Sequence, residues 1–191
     1  MHRAKNYSTS ALSAVFLFMT IIPGISLYAG EASTVAVSLD YASQYIWRGQ
    51  VPTDDPVFQP GVSIAVGDFT ASLWGNMDLT SVNNEKGQLT EVDYSLDYAG
   101  EVSDILGYSV GIIYYDFPAL TNDAGTTEVY AGVSLNTILN PSVTVYRDID
   151  DIKGLYIALG VSYSVDKIWQ LSDDVTVSAD LSAGMGWGNK K

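Results

Sequence analysis

The sequence contains no cysteine and only one histidine, and both shortages exclude classes of chemistry. Without a thiol the chain can form no disulfide, no thiolate metal site, no cysteine nucleophile and no lipoprotein anchor. The histidine, His2, lies in a segment that we expect to be removed after export. The rest of the chain therefore cannot supply a histidine-activated serine, and it contains no phosphate-binding glycine loop or zinc motif. We expect no enzyme activity and no cofactor.

Charged residues are scarce as well, at 16% of the 191 residues, and most of them are acidic. The formal net charge is −13, from 9 basic and 22 acidic residues. Because nucleic-acid binding needs clustered Lys and Arg, we expect no nucleic-acid partner. Ordinary soluble domains carry roughly 25% charged residues. The low charged share, with 13 Tyr and 4 Trp, fits a surface that meets something other than water.

Residues 1–32 have the pattern of a secretory signal peptide. Arg3 and Lys5 form a positive start, an apolar run covers 11–28, and small residues follow it. That order is typical of exported proteins, and cleavage after Ala29 or after Ala32 fits equally well. An uncleaved membrane anchor is less favoured, because the run is near the lower length limit for a span and Pro23 interrupts it.

After the signal peptide, apolar and polar residues alternate along nine segments. In 35–47 the odd positions are mostly apolar or aromatic and the even ones mostly small or polar, as in a β-strand with two different faces. A two-residue hairpin loop is expected at Gly67 and Asp68, with longer connections at 99–106 and 166–174. The sequence predicts an all-β antiparallel meander of about nine strands over 33–191. The other eight strands are expected at 62–66, 69–77, 92–98, 108–114, 129–135, 143–145, 155–165 and 175–187.

The polar faces of these strands favour a transmembrane β-barrel over a soluble sandwich or a lipocalin-like barrel. A soluble sandwich would turn a charged face to water, whereas these polar faces consist largely of Gly, Ser and Ala. Small residues suit a barrel interior, with apolar residues against lipid. Long polar links at 48–61, 79–88, 118–126 and 147–154 resemble the outer loops of such barrels. Aromatic residues near strand ends, including Tyr45 and Trp47, are interpreted as interfacial girdles. The residues expected to face outward include Val129, Val133, Leu159, Val161 and Leu181.

The first predicted strand ends in an aromatic-hydrophobic-aromatic-Arg-Gly motif and resembles the first-strand signature of the TorF-like porins, a bacterial family. The similar stretch is Leu39-Asp40-Tyr41-Ala42-Ser43-Gln44-Tyr45-Ile46-Trp47-Arg48-Gly49. The resemblance covers about 39–165. It implies an outer-membrane β-barrel with a pore role, and it transfers no catalytic residue. Further similar stretches are Asp54-Asp55-Pro56-Val57-Phe58-Gln59-Pro60, Trp74-Gly75-Asn76, Glu91-Val92-Asp93-Tyr94 and Ile113-Tyr114-Tyr115-Asp116-Phe117-Pro118.

The number of predicted strands is odd, whereas bacterial single-chain barrels have an even number. The sequence ends at Lys191 without the terminal aromatic residue expected of an outer-membrane barrel, and members of the family tend to be longer. We therefore expect a C-terminally truncated barrel. Its first and last strands, 35–47 and 175–187, are expected not to pair.

The polar side chains predicted to line the lumen are mostly acidic. Glu91, Asp93 and Asp97 share one strand face, as either a cation-attracting wall or a structural network with Arg48 or Lys86. Trp74 is expected inside, either narrowing the lumen or packing against its wall. The full set of candidates is Asp40, Arg48, Trp74, Glu91, Asp93, Asp97, Glu128 and Asp180.

The acidic stretch 148–151 has two interpretations. Asp148, Asp150 and Asp151 present carboxylates, which Ca²⁺ prefers. A solvated acidic outer loop is the favoured alternative, so no metal site is predicted.

The leading functional interpretation is passive passage of small solutes or ions through the bacterial outer membrane, whose lipid bilayer is then the main partner. One alternative is a non-conducting structural or adhesive barrel of the cell envelope. Another is a soluble periplasmic ligand-binding β-barrel.

Overall fold

The computed structural model describes residues 27–28, 33–119, 125–172 and 175–189, and 75% of these residues lie in β-strands. No helix within them is long and apolar enough to cross a membrane. The strands are β1 (Leu27–Tyr28), β2 (Ser33–Ala42), β3 (Tyr45–Trp47), β4 (Gln50–Thr53), β5 (Val57–Val66), β6 (Phe69–Asp78), β7 (Leu89–Ser103), β8 (Leu106–Asp116), β9 (Thr126–Leu135), β10 (Ser142–Asp148), β11 (Leu155–Ser172) and β12 (Val175–Asn189).

Ten strands form one antiparallel sheet in the order β1-β2-β5-β6-β7-β8-β9-β10-β11-β12, and β3 pairs with β4 in a separate hairpin. The nine long strands follow one another in sequence order, so the sheet is a meander, and it curls into a half-barrel. The predicted all-β meander is confirmed. The predicted signal peptide lies outside the described residues except for 27–28, which pair with Thr34 and Val35 of β2.

The sheet is open. Strand β12 is one edge, and β2, extended only by the two residues of β1, lies at the other. Within the described residues no ladder joins 35–47 to 175–187, as predicted.

The two faces of the sheet differ in polarity. The apolar positions of each strand lie on the convex face, where Val133, Leu159, Val161 and Leu181 are exposed and Val129 is half-buried. Among the described residues, the buried hydrophobic side chains are Tyr45, Val57 and Tyr115 alone. The predicted outward orientation is confirmed, because these apolar side chains cover a surface instead of filling a core.

Two predicted connections are too long. Strand β7 runs to Ser103 and β8 starts at Leu106, while β11 continues to Ser172. Register shifts lie in both extensions, between Glu101 and Ser103 and between Val165 and Trp169. Backbone pairing continues through these segments because a ladder needs no apolar alternation, and bulges absorb the irregular positions.

The first strand is shorter than predicted. Strand β2 ends at Ala42, the chain bends at residues 43–44, and β3 then turns back to pair with β4. The prediction that Tyr45 and Trp47 belong to an interfacial girdle is wrong. Tyr45 is 7% exposed and packs against Trp74 on the concave side of the sheet.

The turn between β5 and β6 depends on glycine. Gly67 has φ 58° in the two-residue loop that joins Val66 to Phe69. A β-branched side chain in this left-handed region costs roughly 1–2 kcal/mol, whereas Asn tolerates it better. We expect Gly67→Val to lower the free energy of unfolding by about that amount and Gly67→Asn to lower it less. Urea unfolding in detergent micelles measures both, and equal losses would contradict this view of the turn.

Candidate functional site

A hairpin formed by residues 45–53 leaves the end of β2 and lies on the concave face of the sheet; we call it the strap. Its two strands pair through Tyr45 with Thr53 and Trp47 with Gln50. The turn between them contains Arg48 and Gly49, with φ values of 49° and 77°. Glycine adopts such values freely, but arginine does so at an energetic cost. The strap therefore needs contacts outside itself to hold this conformation.

Aromatic side chains place the strap against successive strands of the wall. The Tyr45 ring lies 5.7 Å from that of Trp74 on β6, and the Trp47 ring meets Tyr115 on β8 edge-on at 6.0 Å. Aromatic pairs at these distances stabilise a contact beyond the area they bury. The strap thus crosses the concave face from β2 towards the middle of the sheet.

Arg48 attaches the tip of the strap to the far strands. Its Nη1 and Nη2 donate hydrogen bonds to the two carboxylate oxygens of Glu128 on β9, at 2.7 and 2.8 Å. The Tyr115 hydroxyl donates to the same carboxylate at 2.8 Å. The guanidinium group also lies over the rings of Tyr146 and Tyr156, 4.4 Å from each centroid. Such a bidentate charged pair, combined with cation–π contact, fixes both position and orientation.

The Arg48 guanidinium stays charged in this setting. Burial alone would lower its pKa, but the hydrogen bonds and negative charge of Glu128 outweigh burial, and the pKa of Arg48 is raised above its ordinary value. Both side chains of the pair are largely shielded from water. The two side chains therefore form an ion pair that is held by two hydrogen bonds and shielded from water.

Two further carboxylates lie beneath the strap, on β7. Glu91 is buried and makes hydrogen-bond contacts with Tyr45 and Asp93. Burial, followed by the nearby charge of Glu91, raises the pKa of Tyr45, so the phenol stays protonated and can donate. One oxygen of Asp93 is buried without a hydrogen-bond partner among the described residues. Because the contact between Glu91 and Asp93 needs a proton on one of them, these two carboxyl groups together carry at most one negative charge below the strap.

The root of the strap is tied to β6 by a buried polar network. Thr53 donates to Asp78 at 2.9 Å, and Asn83 from the loop 79–88 donates to the other oxygen of Asp78 at 2.9 Å. Asn76 donates to Asp78 at 3.3 Å, and both Asn76 and Asp78 are fully buried. Sequence reasoning missed this network. The available signal was the pair of larger polar residues at positions 76 and 78, which follow Trp74 on the same strand face.

A second network organises the acidic loop at the end of β10. Asp148 accepts a hydrogen bond from the Thr126 hydroxyl at 2.6 Å and, on its other oxygen, from the backbone N–H groups of Asp150, Ile152 and Lys153 at 3.0–3.1 Å. Both of its oxygens are therefore engaged in shaping the loop. Among the described residues, no three potential metal ligands are grouped.

The structure brings five of the eight predicted lumen residues together at the strap: Arg48, Trp74, Glu91, Asp93 and Glu128. The ion pairing differs from the predicted network. Arg48 binds Glu128 instead of the carboxyl groups on β7, and Lys86 is exposed on its loop.

The other three candidates lie apart from the strap. Asp97 is further from the rim and accepts a hydrogen bond from the Tyr130 hydroxyl at 2.6 Å. Asp40 lies in register with Gln59 at the β2–β5 pair. Asp180 is exposed on the edge strand β12 and does not join the site.

The strap leaves space on both sides of Arg48. A cavity of about 190 Å³ lies between the strap and the wall, lined in part by Trp47, Glu91 and Tyr115. A second, of about 310 Å³, opens towards β11 and β12, past Tyr156 and Gly188. The concave face is thus narrowed by the strap without being sealed.

The strap and the wall beneath it form the candidate site. It combines carboxylates, phenols and one guanidinium group, none of which is paired with a histidine base in the described part of the chain. No family profile, curated protein or solved structure matches the chain. Its function is therefore argued from the geometry.

Asp148 gives a pH-dependent test of the loop network. It follows Arg147, whose charge on the outward side marks the end of the apolar band. Burial alone would raise the pKa of Asp148, but hydrogen bonds from Thr126 and the backbone of Lys153, Asp150 and Ile152 outweigh burial and lower it. A lowered pKa means that the ionised carboxylate stabilises the fold above the unfolded pKa of about 3.9. That stabilisation is lost as the pH falls through the folded pKa.

We expect Asp148→Asn to lower the free energy of unfolding by roughly 1.5–3 kcal/mol at neutral pH, the value of hydrogen bonds to a charged group. The gap between variant and parent should close in strong acid. Asp150→Asn, which removes an exposed charge from the same loop, is the matched control and should change little. Urea unfolding at several pH values measures these differences, and a gap independent of pH would refute the assignment.

Proposed function

We propose that the chain forms the wall of a β-barrel in the bacterial outer membrane and that its concave face lines a passage for small solutes, with a preference for cations. This proposal rests on the polarity of the two sheet faces, because the apolar side chains lie on the exposed convex face and not in a core. A protein that hides its apolar side chains from water has a large buried core, whereas the described part of this chain buries three hydrophobic side chains and exposes apolar residues along the convex face. Lipid is the surrounding in which such a face is stable.

Strand length and loop asymmetry support the same proposal. A tilted span needs about 9–11 residues, and most of the long strands, such as β7 and β12 at 15 residues each, reach or exceed that length. Two-residue turns at 67–68 and 104–105 and the connection 136–141 lie at one rim, while the strap and the loops 79–88 and 149–154 lie at the other. Outer-membrane barrels have short periplasmic turns and longer outer loops, so the strap is assigned to the outer rim.

The proposal requires that the two sheet edges be covered in the membrane. Lipid offers no hydrogen-bond partner to the backbone of β2 or β12, and an open edge facing lipid is strongly unfavourable. Further strands must therefore pair with both edges, and the concave face then becomes the lining of a lumen.

The charge on the concave face favours cations. A low-dielectric wall with carboxylates raises the local concentration of cations, and the basic residue at the strap, Arg48, is already paired with Glu128. The acidic residues assigned to the lumen are Asp40, Glu91, Asp93, Asp97, Glu128 and Asp180.

The resemblance of the strap motif, 45–49, to the TorF-like porins adds support, and we propose that the chain belongs with them. Export would then depend on the signal peptide predicted at 1–32. The second candidate function is a non-conducting structural or adhesive barrel. It is favoured by one observation, which is that the strap fills part of the concave face.

Lipid contact predicts a position-dependent cost for a charge on the convex face. Leu159 lies within β11 and is exposed, so Leu159→Arg should lower the free energy of unfolding in lipid vesicles by roughly 2–4 kcal/mol. Ile149→Arg places the same charge on an exposed residue of the loop 149–154 and should cost little. Equal, small effects at both positions would mean that the convex face meets water.

Passage of cations is tested by reversal potentials of the intact protein in planar bilayers under a KCl gradient. The parent should prefer K⁺ over Cl⁻, and Asp40→Asn combined with Asp97→Asn should weaken that preference because two lumen charges are removed. Asp150→Asn is the control for a charge outside the lumen. Absence of channels would favour the structural barrel, and a preference for Cl⁻ would contradict the acidic lumen.

A further inference from the structure

We infer that the strap sets the width of the passage and that Arg48, by holding the strap against the wall, determines both its conductance and its charge selectivity. The inference rests on the proposed passage function. In this inference the ion pair of Arg48 with Glu128 fixes the position of the strap, which the other residues of the wall do not do.

The strap lies where it can narrow a lumen. Its contacts run from Trp74 on β6 to Tyr156 on β11, so it crosses most of the concave face near the outer rim. Gln50 and Pro52 line the cavity between the strap and the wall, and Val51, which alternates with them, is exposed on the opposite side of the strap. In a closed barrel this side would project into the lumen.

The strap cannot hold this position by itself. Its own ladder has two registered pairs with an irregularity between them, and a lone two-stranded hairpin is marginal even when regular. Its root is fixed through Thr53 and Asp78. Its tip contains the unfavourable φ of Arg48, and the tip is held by the bond to Glu128 and the stacking on Tyr146 and Tyr156. Loss of this attachment should release the tip while the root remains in place.

The same ion pair also sets the net charge beside the strap, and a permeating ion passes this charge. With the pair intact, Arg48 neutralises Glu128, and Glu91 and Asp93, which share a proton, leave at most one negative charge beside the strap. Removing the arginine charge exposes Glu128, and removing the carboxylate exposes Arg48. The two changes should therefore shift selectivity in opposite directions, although both release the strap.

Single-channel recordings of the intact protein separate these effects. Arg48→Lys keeps the charge but loses the two-pronged bond and the planar stacking, so conductance should rise about twofold as the bore widens, with little change in selectivity. Arg48→Gln and Glu128→Gln should raise conductance to a similar extent. Arg48→Gln should increase the preference for K⁺ over Cl⁻, and Glu128→Gln should decrease it.

A matched control removes a positive charge away from the strap. Lys86 is exposed on the loop 79–88, and Lys86→Gln should leave conductance at the level of the parent. Conductance that followed net charge alone, with Lys86→Gln behaving like Arg48→Gln, would overturn the inference.

Trypsin cleavage after Arg48 tests whether the ion pair holds the strap against the wall, and it needs no measurement of current. The pair shields Arg48 in the parent, and Glu128→Gln should raise the rate of cleavage at this bond about tenfold or more in detergent, because the opened strap becomes more populated. Lys86→Gln should not change that rate.

The two proposals fail in different ways. If the parent conducts but the Arg48 and Glu128 variants match it in both conductance and cleavage, the strap inference is wrong and the passage function stands. If nothing conducts, the passage function fails, and the cleavage rates alone decide whether Arg48 holds the strap. A silent parent with a conducting Glu128→Gln variant supports the strap as a closed plug.

Discussion

Every long strand of this chain has two chemically different faces, and the antiparallel ladder forces like faces to the same side of the sheet. Val133, Leu159 and Leu181 therefore share one continuous apolar surface, although they come from three different strands. The polar positions meet on the other side, where curvature crowds them. Glycine gives the room that aromatic rings need there, since a side chain at Gly111 would occupy the place of the Tyr130 ring. The curvature of the sheet, the polarity of its faces and the small residues on its concave face thus all follow from strands that have two different faces.

The strap follows from the same constraint. A concave face made of small residues leaves space near the rim, and the chain fills it with a hairpin that would be unstable alone. Arg48 makes the hairpin part of the wall by joining β9, β10 and β11 through one guanidinium group. Buried charges of this kind hold a unique arrangement only when each is paired, and breaking one partner is more damaging than replacing both. This is why we propose that the tip of the strap, and not its root, controls the passage.

The sequence predicted the strand number, the turn at Gly67 and the outward residues, because these depend on local alternation and turn chemistry. It did not predict the strap. The alternation of 35–42 continues through Tyr45 and Trp47, so a local pattern cannot distinguish a longer strand from a hairpin that turns back. The decisive partner of Arg48 is 80 residues away in the chain, and such a contact leaves no local signal. Similarly, β7 and β11 continue through segments where the alternation breaks, which the pattern had assigned to loops.

The central claim, that the convex face meets lipid and the concave face does not, is tested most directly by tryptophan fluorescence in vesicles of brominated lipid. Trp187 is exposed on the convex face, whereas Trp74 packs against Tyr45 on the concave side. Variants that retain only one of the four tryptophans report each position separately. The account predicts strong quenching of Trp187 by brominated acyl chains and little quenching of Trp74. Quenching of Trp187 by aqueous acrylamide, with no effect of the brominated lipid, would contradict it.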